Sequence, residues 1–394
     1  MEKTLKLALN KYNPTPPSLR SVPSGAPVDK IRVNLANLFH HYYLDCHDRA
    51  PPDPDPTRFE ATNFLLPCEE FRFQGSGFGS SPASKRNRSN ELGQAFCRQF
   101  LYEHLGFTYF AHVAPLLGKT LGGPHAGCRL ERVKEGDTPD YLCADGSSEP
   151  FLAEAKGRYT SVSFKSKEFQ SWRDQFTRVV LKDPSGEPRR VKGYIVATRF
   201  ATEADSARLR TTLFAEDPST RGNFPLGPDL GVAVVRAVRS RHYSRIATKL
   251  RQPLLASSLA TGTPLTDELR ILAVVWQVLQ GPLAKRQFVG GYFGVGDARA
   301  EWRTLEGDAK VFVPHDPLRL DAPGFTFFGL EEDIFRQVVS QARVGHTQDV
   351  GVRQFGQFGQ FEEPEFFDSA FSVLRDGSVL APLDYFRPLG TITL

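Results

Sequence analysis

Residues 139–156 read PDYLCADGSSEPFLAEAK, with an Asp-Gly dipeptide in the middle that is typical of a β-hairpin turn. Side chains two positions apart on a strand point to the same face, so Glu154 and Lys156 share a face of the second arm. When the two arms pair antiparallel, Asp140 at the start of the first arm approaches Glu154. The sequence therefore predicts two carboxylates and an amine at one end of a sheet.

That grouping suits the hydrolysis of phosphodiester bonds. Carboxylates are hard oxygen ligands, and Mg²⁺ binds to one or two of them while it retains several waters. A bound divalent cation lowers the pKa of its water and neutralises charge on the scissile phosphate. A lysine beside it can orient the water and stabilise the negative charge that develops. We therefore expect a Mg²⁺ site, with Mn²⁺ able to substitute.

The segments on either side of the hairpin extend the pattern. Apolar residues at helical spacing predict a helix that is capped by Ser89 and ends at Gly106, followed by a strand over residues 107–113. After the hairpin we expect an amphipathic helix over 165–180 and a strand over 191–198. The predicted order is helix, three strands, helix, strand.

Pro139-Asp140 followed by Glu154-Ala155-Lys156 resembles the signature of the PD-(D/E)XK nuclease superfamily, which includes restriction endonucleases and many repair and defence nucleases. The resemblance implies an α/β fold with a restriction-endonuclease-like core, in which helices flank a mixed sheet in the order αβββαβ. It also implies Asp140 and Glu154 as metal ligands, the Ala155 carbonyl as a further ligand, and Lys156 as the catalytic lysine.

The same resemblance suggests two more residues. Many members carry an acidic residue on the helix before the sheet, and Glu91 is the candidate here. Some have a glutamine on the following helix, for which Gln175 is the first candidate and Gln170 the second. The matching region is residues 88–200, which leaves the flanking regions unassigned.

The length of 394 residues exceeds that of one ordinary domain. Proline-rich breaks and a Gly/Ser-rich run at 75–81, interpreted as a linker or a mobile loop over a site, set apart an N-terminal region over 1–85. The nuclease core is predicted over 86–200, with residue 235 as an alternative end. We expect residues 236–394 to form an α+β region that binds substrate or a partner.

Outside the core the pattern predicts further elements. We expect helices over 203–213, 266–280 and 331–343, and a strand around 230–235. A short local repetition of phenylalanine, Gly and Gln at 355–361 is predicted to be a loop.

Residues 236–251 contain six lysines and arginines and no acid. One interpretation is a basic helix face that follows a phosphate backbone, with a tyrosine that stacks on a base. The alternative is an ordinary solvated helix face. The residues assigned to nucleic-acid binding are Arg239, Arg241, Tyr243, Arg245 and Lys249.

Charge, cysteine usage and hydropathy limit the partners and the cellular location that we expect. The formal net charge of +4 is compatible with a polyanionic partner. The five cysteines include no CxxC pair, which argues against a zinc ribbon or a disulfide framework. The N-terminus lacks the apolar segment of a signal peptide, and the most apolar helical stretch is too short to span a bilayer. We expect a cytoplasmic protein without a membrane partner.

Together these observations predict a Mg²⁺-dependent endonuclease that hydrolyses nucleic acid, with DNA favoured over RNA, in bacterial restriction or antiphage defence. A cut through both strands of a duplex would need a homodimer or a protein partner. The alternative is a catalytically inactive subunit that binds nucleic acid or acts as a scaffold in a defence or repair complex. A third hypothesis is an enzyme of another class, in which the three residues coincide by chance.

Overall fold

The structure is a computed structural model, and it describes residues 2–46, 60–121, 127–146, 149–220, 228–293, 301–304, 310–313, 326–345, 350–352, 354–355 and 371–394. Helices and strands are mixed along this part of the chain. The helices are α1 (Leu35–Cys46), α2 (Glu60–Asn63), α3 (Pro82–Leu105), α4 (Lys167–Gln175), α5 (Pro228–Lys249), α6 (Pro253–Thr261) and α7 (Glu332–Val344). The strands as far as residue 216 are β1 (Glu2–Asn10), β2 (Lys30–Asn34), β3 (Arg72–Phe73), β4 (Tyr109–His112), β5 (Thr120–Leu121), β6 (Cys128–Arg132), β7 (Tyr141–Ala144), β8 (Pro150–Arg158), β9 (Val179–Lys182), β10 (Pro188–Arg189), β11 (Lys192–Arg199), β12 (Ala201–Thr202) and β13 (Thr212–Glu216). The later strands are β14 (Leu272–Val278), β15 (Gln287–Phe293), β16 (Glu301–Thr304), β17 (Lys310–Val313), β18 (Thr326–Glu331), β19 (Ser372–Val373), β20 (Ser378–Pro382) and β21 (Phe386–Thr393).

The chain divides into two compact units. The first contains residues up to 46 and residues 63–242, and the second contains residues 243–344 and residues from 350 onwards. Helix α5 contributes its first part to one unit and its last part to the other. The candidate site lies wholly within the first unit.

A seven-stranded mixed sheet forms the centre of the first unit, in the order β2-β1-β13-β11-β8-β7-β4. The pairs β1–β13 and β8–β11 are parallel, and the other neighbours are antiparallel. A second sheet of four antiparallel strands, in the order β10-β9-β6-β5, is built from segments inserted before β7 and after α4.

The predicted order of elements around the hairpin is confirmed. Helix α3, strands β4, β7 and β8, helix α4 and strand β11 follow one another as expected, with the four short strands of the second sheet between them. The helix start is different, because Ser81 caps α3 by accepting a hydrogen bond from the Ser84 amide (3.2 Å), whereas Ser89 lies inside the helix. Gly106 ends the helix in the left-handed conformation, as the pattern predicts.

Residues 1–85 do not form the separate region that was predicted. Strand β1 pairs with β13, more than two hundred positions along the chain, so the N-terminal strands belong to the sheet that carries the hairpin. The Gly/Ser-rich run is anchored: Phe78 is buried, its amide donates to the Tyr159 hydroxyl (2.8 Å), and the Gly75 amide donates to Glu203 (2.8 Å).

Three predictions outside the core are wrong. Residues 203–213 form turns and the start of β13, residues 230–235 belong to helix α5, and the segment over 266–280 contains strand β14. The β14 sequence LAVVWQV is rich in β-branched residues and is buried at Ala273, Val275, Trp276 and Val278. The apolar run at 230–235 resembled a strand, but it lies inside a single helix of 22 residues.

The second unit is built on a six-stranded antiparallel sheet in the order β19-β20-β18-β15-β14-β21, and strands β16 and β17 form a separate hairpin. Helix α7 confirms the helix predicted over 331–343. Of the local repetition at 355–361, only Phe355 falls within the described residues. Across the described ranges, no helix combines the length and the apolar character that crossing a membrane requires.

Candidate active site on the β7–β8 hairpin

The hairpin places the two carboxylates opposite each other. Tyr141 pairs with Ala153, and the same antiparallel register continued by one step sets Asp140 across from Glu154. The Asp140 Oδ2 accepts a hydrogen bond from the Ala155 amide at 2.8 Å, which fixes the first carboxylate against the second arm. The N–H and C=O of a strand residue point to the same neighbouring strand, so the Ala155 carbonyl points to the β7 side of β8, where Asp140 lies.

Lys156 contacts both acids. Its ammonium forms an ion pair with Glu154 Oε1 and lies 3.8 Å from Asp140 Oδ2. The side chain of Glu154 is fully buried, whereas those of Asp140 and Lys156 are 23% and 26% exposed. The cluster is therefore buried at Glu154 and open to solvent at its other two members.

Burial and charge shift the acid–base properties of two of the three groups. Burial, together with the neighbouring Asp140 carboxylate, raises the pKa of Glu154 well above its ordinary value. For Lys156, burial by itself lowers the pKa, but the carboxylates of Glu154 and Asp140 outweigh it and the pKa is raised. The lysine is consequently a cation at neutral pH. Its single positive charge does not offset the burial of Glu154 and the repulsion from Asp140, which is why the pKa of Glu154 stays raised.

Gln175 holds the buried carboxylate from the other side. It is the last residue of α4, it is buried, and its Nε2 donates to Glu154 Oε1 at 2.6 Å. Helix α4 is itself fixed by a two-point ion pair, in which Arg173 donates to both carboxylate oxygens of Glu216 at 2.6 and 2.7 Å. Of the two glutamine candidates, only Gln175 contacts the cluster, since the Gln170 amide donates to Asp174 instead.

Helix α3 packs closely against β8 beside the cluster. A Cβ atom built on Gly157 would overlap the Ser89 carbonyl oxygen, and one on Gly93 would overlap the backbone of Lys156 and Gly157. These two glycines let the helix and strand backbones touch directly. The close approach fixes the height of the helix above the strand that carries Glu154.

Glu91 on α3 has different partners. Its Oε2 accepts from the Tyr42 hydroxyl at 3.0 Å and lies 3.9 Å from Arg88. No described contact joins Glu91 to the hairpin cluster, and its predicted catalytic role stays a prediction.

The residues of the cluster are suited to a divalent cation. The Oε2 of Glu154 is buried and has no hydrogen-bond partner among the described residues, and it is the oxygen that faces no donor. Among those residues there is no group of three or more His, Cys, Asp and Glu side chains that could hold a metal ion. The ligands would instead be the two carboxylates and the Ala155 carbonyl, a set that leaves room for water, as Mg²⁺ requires.

Comparisons of the chain with protein-family models, curated proteins and solved structures give no match.

The helix that was predicted to bind nucleic acid through residues 239–249 buries two of the five assigned side chains. Tyr243 is 1% exposed and its hydroxyl donates to the Asp376 carbonyl at 3.0 Å, so its ring is not available to stack on a base. Lys249 is also fully buried. Arg239, Arg241 and Arg245 are half-buried, and burial lowers the pKa of Arg241. Tyr243 and Lys249 are therefore not available at the surface, and a role of Arg239, Arg241 and Arg245 in binding nucleic acid stays a prediction.

A buried polar network beneath the hairpin was missed. The Asp45 carboxylate accepts from Arg98 at 2.9 Å and from the Tyr141 hydroxyl at 2.7 Å, and it lies 3.1 Å from the His112 imidazole. The network holds Tyr141, the residue that follows Asp140, in place. Its members are separated by tens of positions, so no local pattern could have identified it.

Proposed function

We propose that this protein is a divalent-cation-dependent phosphodiesterase that cleaves nucleic acid, with DNA as its preferred substrate. Asp140, Glu154 and Lys156 form its active site on a restriction-endonuclease-like core. The observation that carries the proposal is the buried Glu154 carboxylate, which lies opposite a second carboxylate and keeps one oxygen without a hydrogen-bond partner in the described part of the chain. The order of elements around the hairpin supports the same assignment.

The chain supplies a binding site in which each group has a separate task. Asp140 and Glu154, with the Ala155 carbonyl, would hold the cation, which when bound neutralises phosphate charge and makes a coordinated water more acidic. Gln175 occupies Glu154 Oε1 and leaves Oε2 for the cation. The Ala155 amide keeps Asp140 turned towards the same point.

Lys156 is the group that reaches the substrate. It is charged at neutral pH because the two carboxylates raise its pKa, and its partial exposure allows contact with a phosphate at the surface. An ammonium at this position donates hydrogen bonds to a non-bridging phosphate oxygen or to the attacking water. Its removal therefore affects the rate more than the affinity for nucleic acid.

The test is a cleavage assay with matched lysine variants. Purified protein is incubated with plasmid, linear duplex DNA, single-stranded DNA and RNA, in Mg²⁺, Mn²⁺ or EDTA, beside Lys156→Ala and Lys119→Ala. Lys119 is an exposed lysine outside the cluster and serves as the control. We expect cleavage that EDTA and Lys156→Ala abolish and that Lys119→Ala leaves intact. If Lys156→Ala cleaves at the wild-type rate, the assignment of the active site to this cluster is wrong.

Absence of cleavage with every substrate, together with salt-sensitive binding of nucleic acid, would instead favour the inactive binding subunit. The same purified protein serves for both measurements, since binding is followed at several salt concentrations with EDTA present.

A further inference from the structure

A concave site lies in the first unit, on the opposite face of the seven-stranded sheet from the hairpin cluster. It is a cavity of about 880 Å³ near the C-terminal end of α3, at the start of β8 and β11. Phe151, which lines it, is three positions before Glu154 on the same strand, and side chains at that spacing point to opposite faces. The cavity is therefore distinct from the proposed active site.

Three aromatic rings line the cavity. Tyr12, Phe151 and Tyr194 are each partly exposed in it, with the Tyr194 ring 6.0 Å from that of Phe151 and 6.4 Å from that of Tyr12. Phe107 stacks behind Phe151 at 4.6 Å and holds that ring in place. Partly exposed rings in a concave site suit a planar ligand that stacks on their outer faces.

The rim of the same cavity carries cations. Arg190 is exposed and has no contact within hydrogen-bond distance among the described residues, and Lys11 has only a 3.8 Å approach to Glu216. Lys192 is paired with Asp217, so that carboxylate is neutralised within the cavity wall. Glu149 is the other acid of the lining. Arg190 is therefore the lining cation without a partner among the described residues, whereas Lys11 shares Glu216 with Arg173 and keeps a half-exposed ammonium that can turn to an anionic group.

We propose that this cavity binds a nucleotide unit, with the base against the aromatic wall and the phosphate on Arg190 and Lys11. Planar guanidinium groups bind phosphate oxygens through two parallel hydrogen bonds, and aromatic side chains stack on every base. The cavity has room for a nucleoside phosphate. The same chemistry is offered by a free nucleotide and by the phosphorylated end of a single strand, and the proposal does not depend on cleavage at the hairpin.

The test is a titration of the full-length protein in EDTA with four nucleoside monophosphates, their nucleosides, and 5′-phosphorylated and unphosphorylated oligonucleotides. Binding is followed by calorimetry for the wild type, Arg190→Ala, Phe151→Leu and Arg208→Ala. Arg208 is an exposed arginine outside the cavity and is the matched control.

We expect Arg190→Ala to weaken binding of the phosphorylated ligands about tenfold while binding of nucleosides stays unchanged. Phe151→Leu should weaken both, and Arg208→Ala neither. Tighter binding of the monophosphate identifies a free nucleotide as the ligand, and tighter binding of the phosphorylated oligonucleotide identifies a strand end. The proposal is overturned if no ligand binds at millimolar concentration, or if Arg190→Ala and Arg208→Ala have equal effects.

Discussion

At the level of single residues, the site depends on how the oxygens of Glu154 are used. One oxygen accepts from Gln175 and Lys156, and the other is buried without a partner among the described residues. A buried carboxylate with an unused oxygen is costly for folding, so proteins retain it where a ligand completes it. Asp140 on the opposite arm supplies a second ligand at the same place.

Gln175→Ala should lower the rate of cleavage about 10–100-fold and raise the cation concentration needed for half-maximal activity. The reason is that Glu154 Oε1 loses its neutral donor and the carboxylate is no longer held in one orientation. Cleavage rates are measured over a range of Mn²⁺ concentrations. Gln170→Ala, on the exposed side of the same helix, is the control and should behave as the wild type. Equal losses for both variants would contradict a specific role for Gln175.

The three residues of the cluster could be predicted from sequence because they lie on one hairpin, where turn chemistry and strand alternation fix their geometry. Gln175 was predicted only through the resemblance. The Asp45 network could not be predicted, since a buried carboxylate with partners on three other elements leaves no local trace.

At the level of elements, the contact of α3 with β8 requires a glycine on each side. Gly157→Ala should lower the free energy of unfolding by about 3 kcal/mol or more, because its Cβ would overlap the Ser89 carbonyl oxygen, which is backbone and cannot move aside. Gly93→Ala should also lower the free energy of unfolding, because its Cβ would overlap the backbone of β8. Helix propensity alone predicts the opposite sign, since it favours alanine over glycine by about 1 kcal/mol. Urea unfolding measures both variants.

The control for these variants is Gly291→Ala, where a Cβ would have nothing within 4 Å. A stabilising effect of Gly93→Ala would contradict the direct contact between the backbones of α3 and β8.

The C-terminal turn of α3 makes stability depend on pH. Burial lowers the pKa of His104 from its ordinary value to about 4, and its Nδ1 lies 3.0 Å from the Ser18 hydroxyl. The unfolded chain binds this proton near pH 6.5 and the folded protein only near pH 4, so a fall in pH favours unfolding. The contribution of His104 to stability is complete above pH 6.5 and decreases towards pH 4.

Between pH 7.5 and pH 5 this histidine should therefore cost the wild type about 2 kcal/mol of unfolding free energy. His104→Gln should remove that part of the loss, which denaturant unfolding at the two pH values measures. An unchanged difference between the two pH values in the variant would show that His104 remains accessible to protons in the folded state.

Sequence patterns predicted the elements that are amphipathic or bounded by turn residues, and missed those that depend on distant pairing. Gly281-Pro282 follows strand β14, but this dipeptide ends a helix as readily as a strand, and the strand forms because it pairs with β15 and β21. Conversely, the apolar start of α5 has the β-branched composition of a strand, yet it belongs to a single helix of 22 residues.

At the level of the whole molecule, the hairpin belongs to a sheet that begins with the first strand of the chain. Strand β1 lies between β2 and β13 and buries Leu5 and Leu7. The boundary predicted at residue 85 could not be corrected from sequence, because a parallel pairing across more than two hundred residues has no local signal.

Leu5→Ala should lower the free energy of unfolding by about 2–5 kcal/mol, because it leaves a cavity in the core of the unit that carries the site. Lys6→Ala, on the exposed side of the same strand, should change it by less than about 0.5 kcal/mol. Chemical denaturation followed by circular dichroism measures both. If a fragment of residues 86–200 unfolds cooperatively by itself, strand β1 is not needed for the fold of the first unit, which would contradict this prediction.

The most direct test of the proposed active site is the rate of DNA cleavage as a function of Mn²⁺ concentration, for the wild type and for Glu154→Gln. Glutamine has nearly the same shape as glutamate but supplies no anionic oxygen to a cation. The wild type should show a rate that rises and saturates with Mn²⁺, and Glu154→Gln should show no cleavage over the same range. Equal rates for the two proteins, or a wild-type rate that EDTA does not lower, would contradict the account.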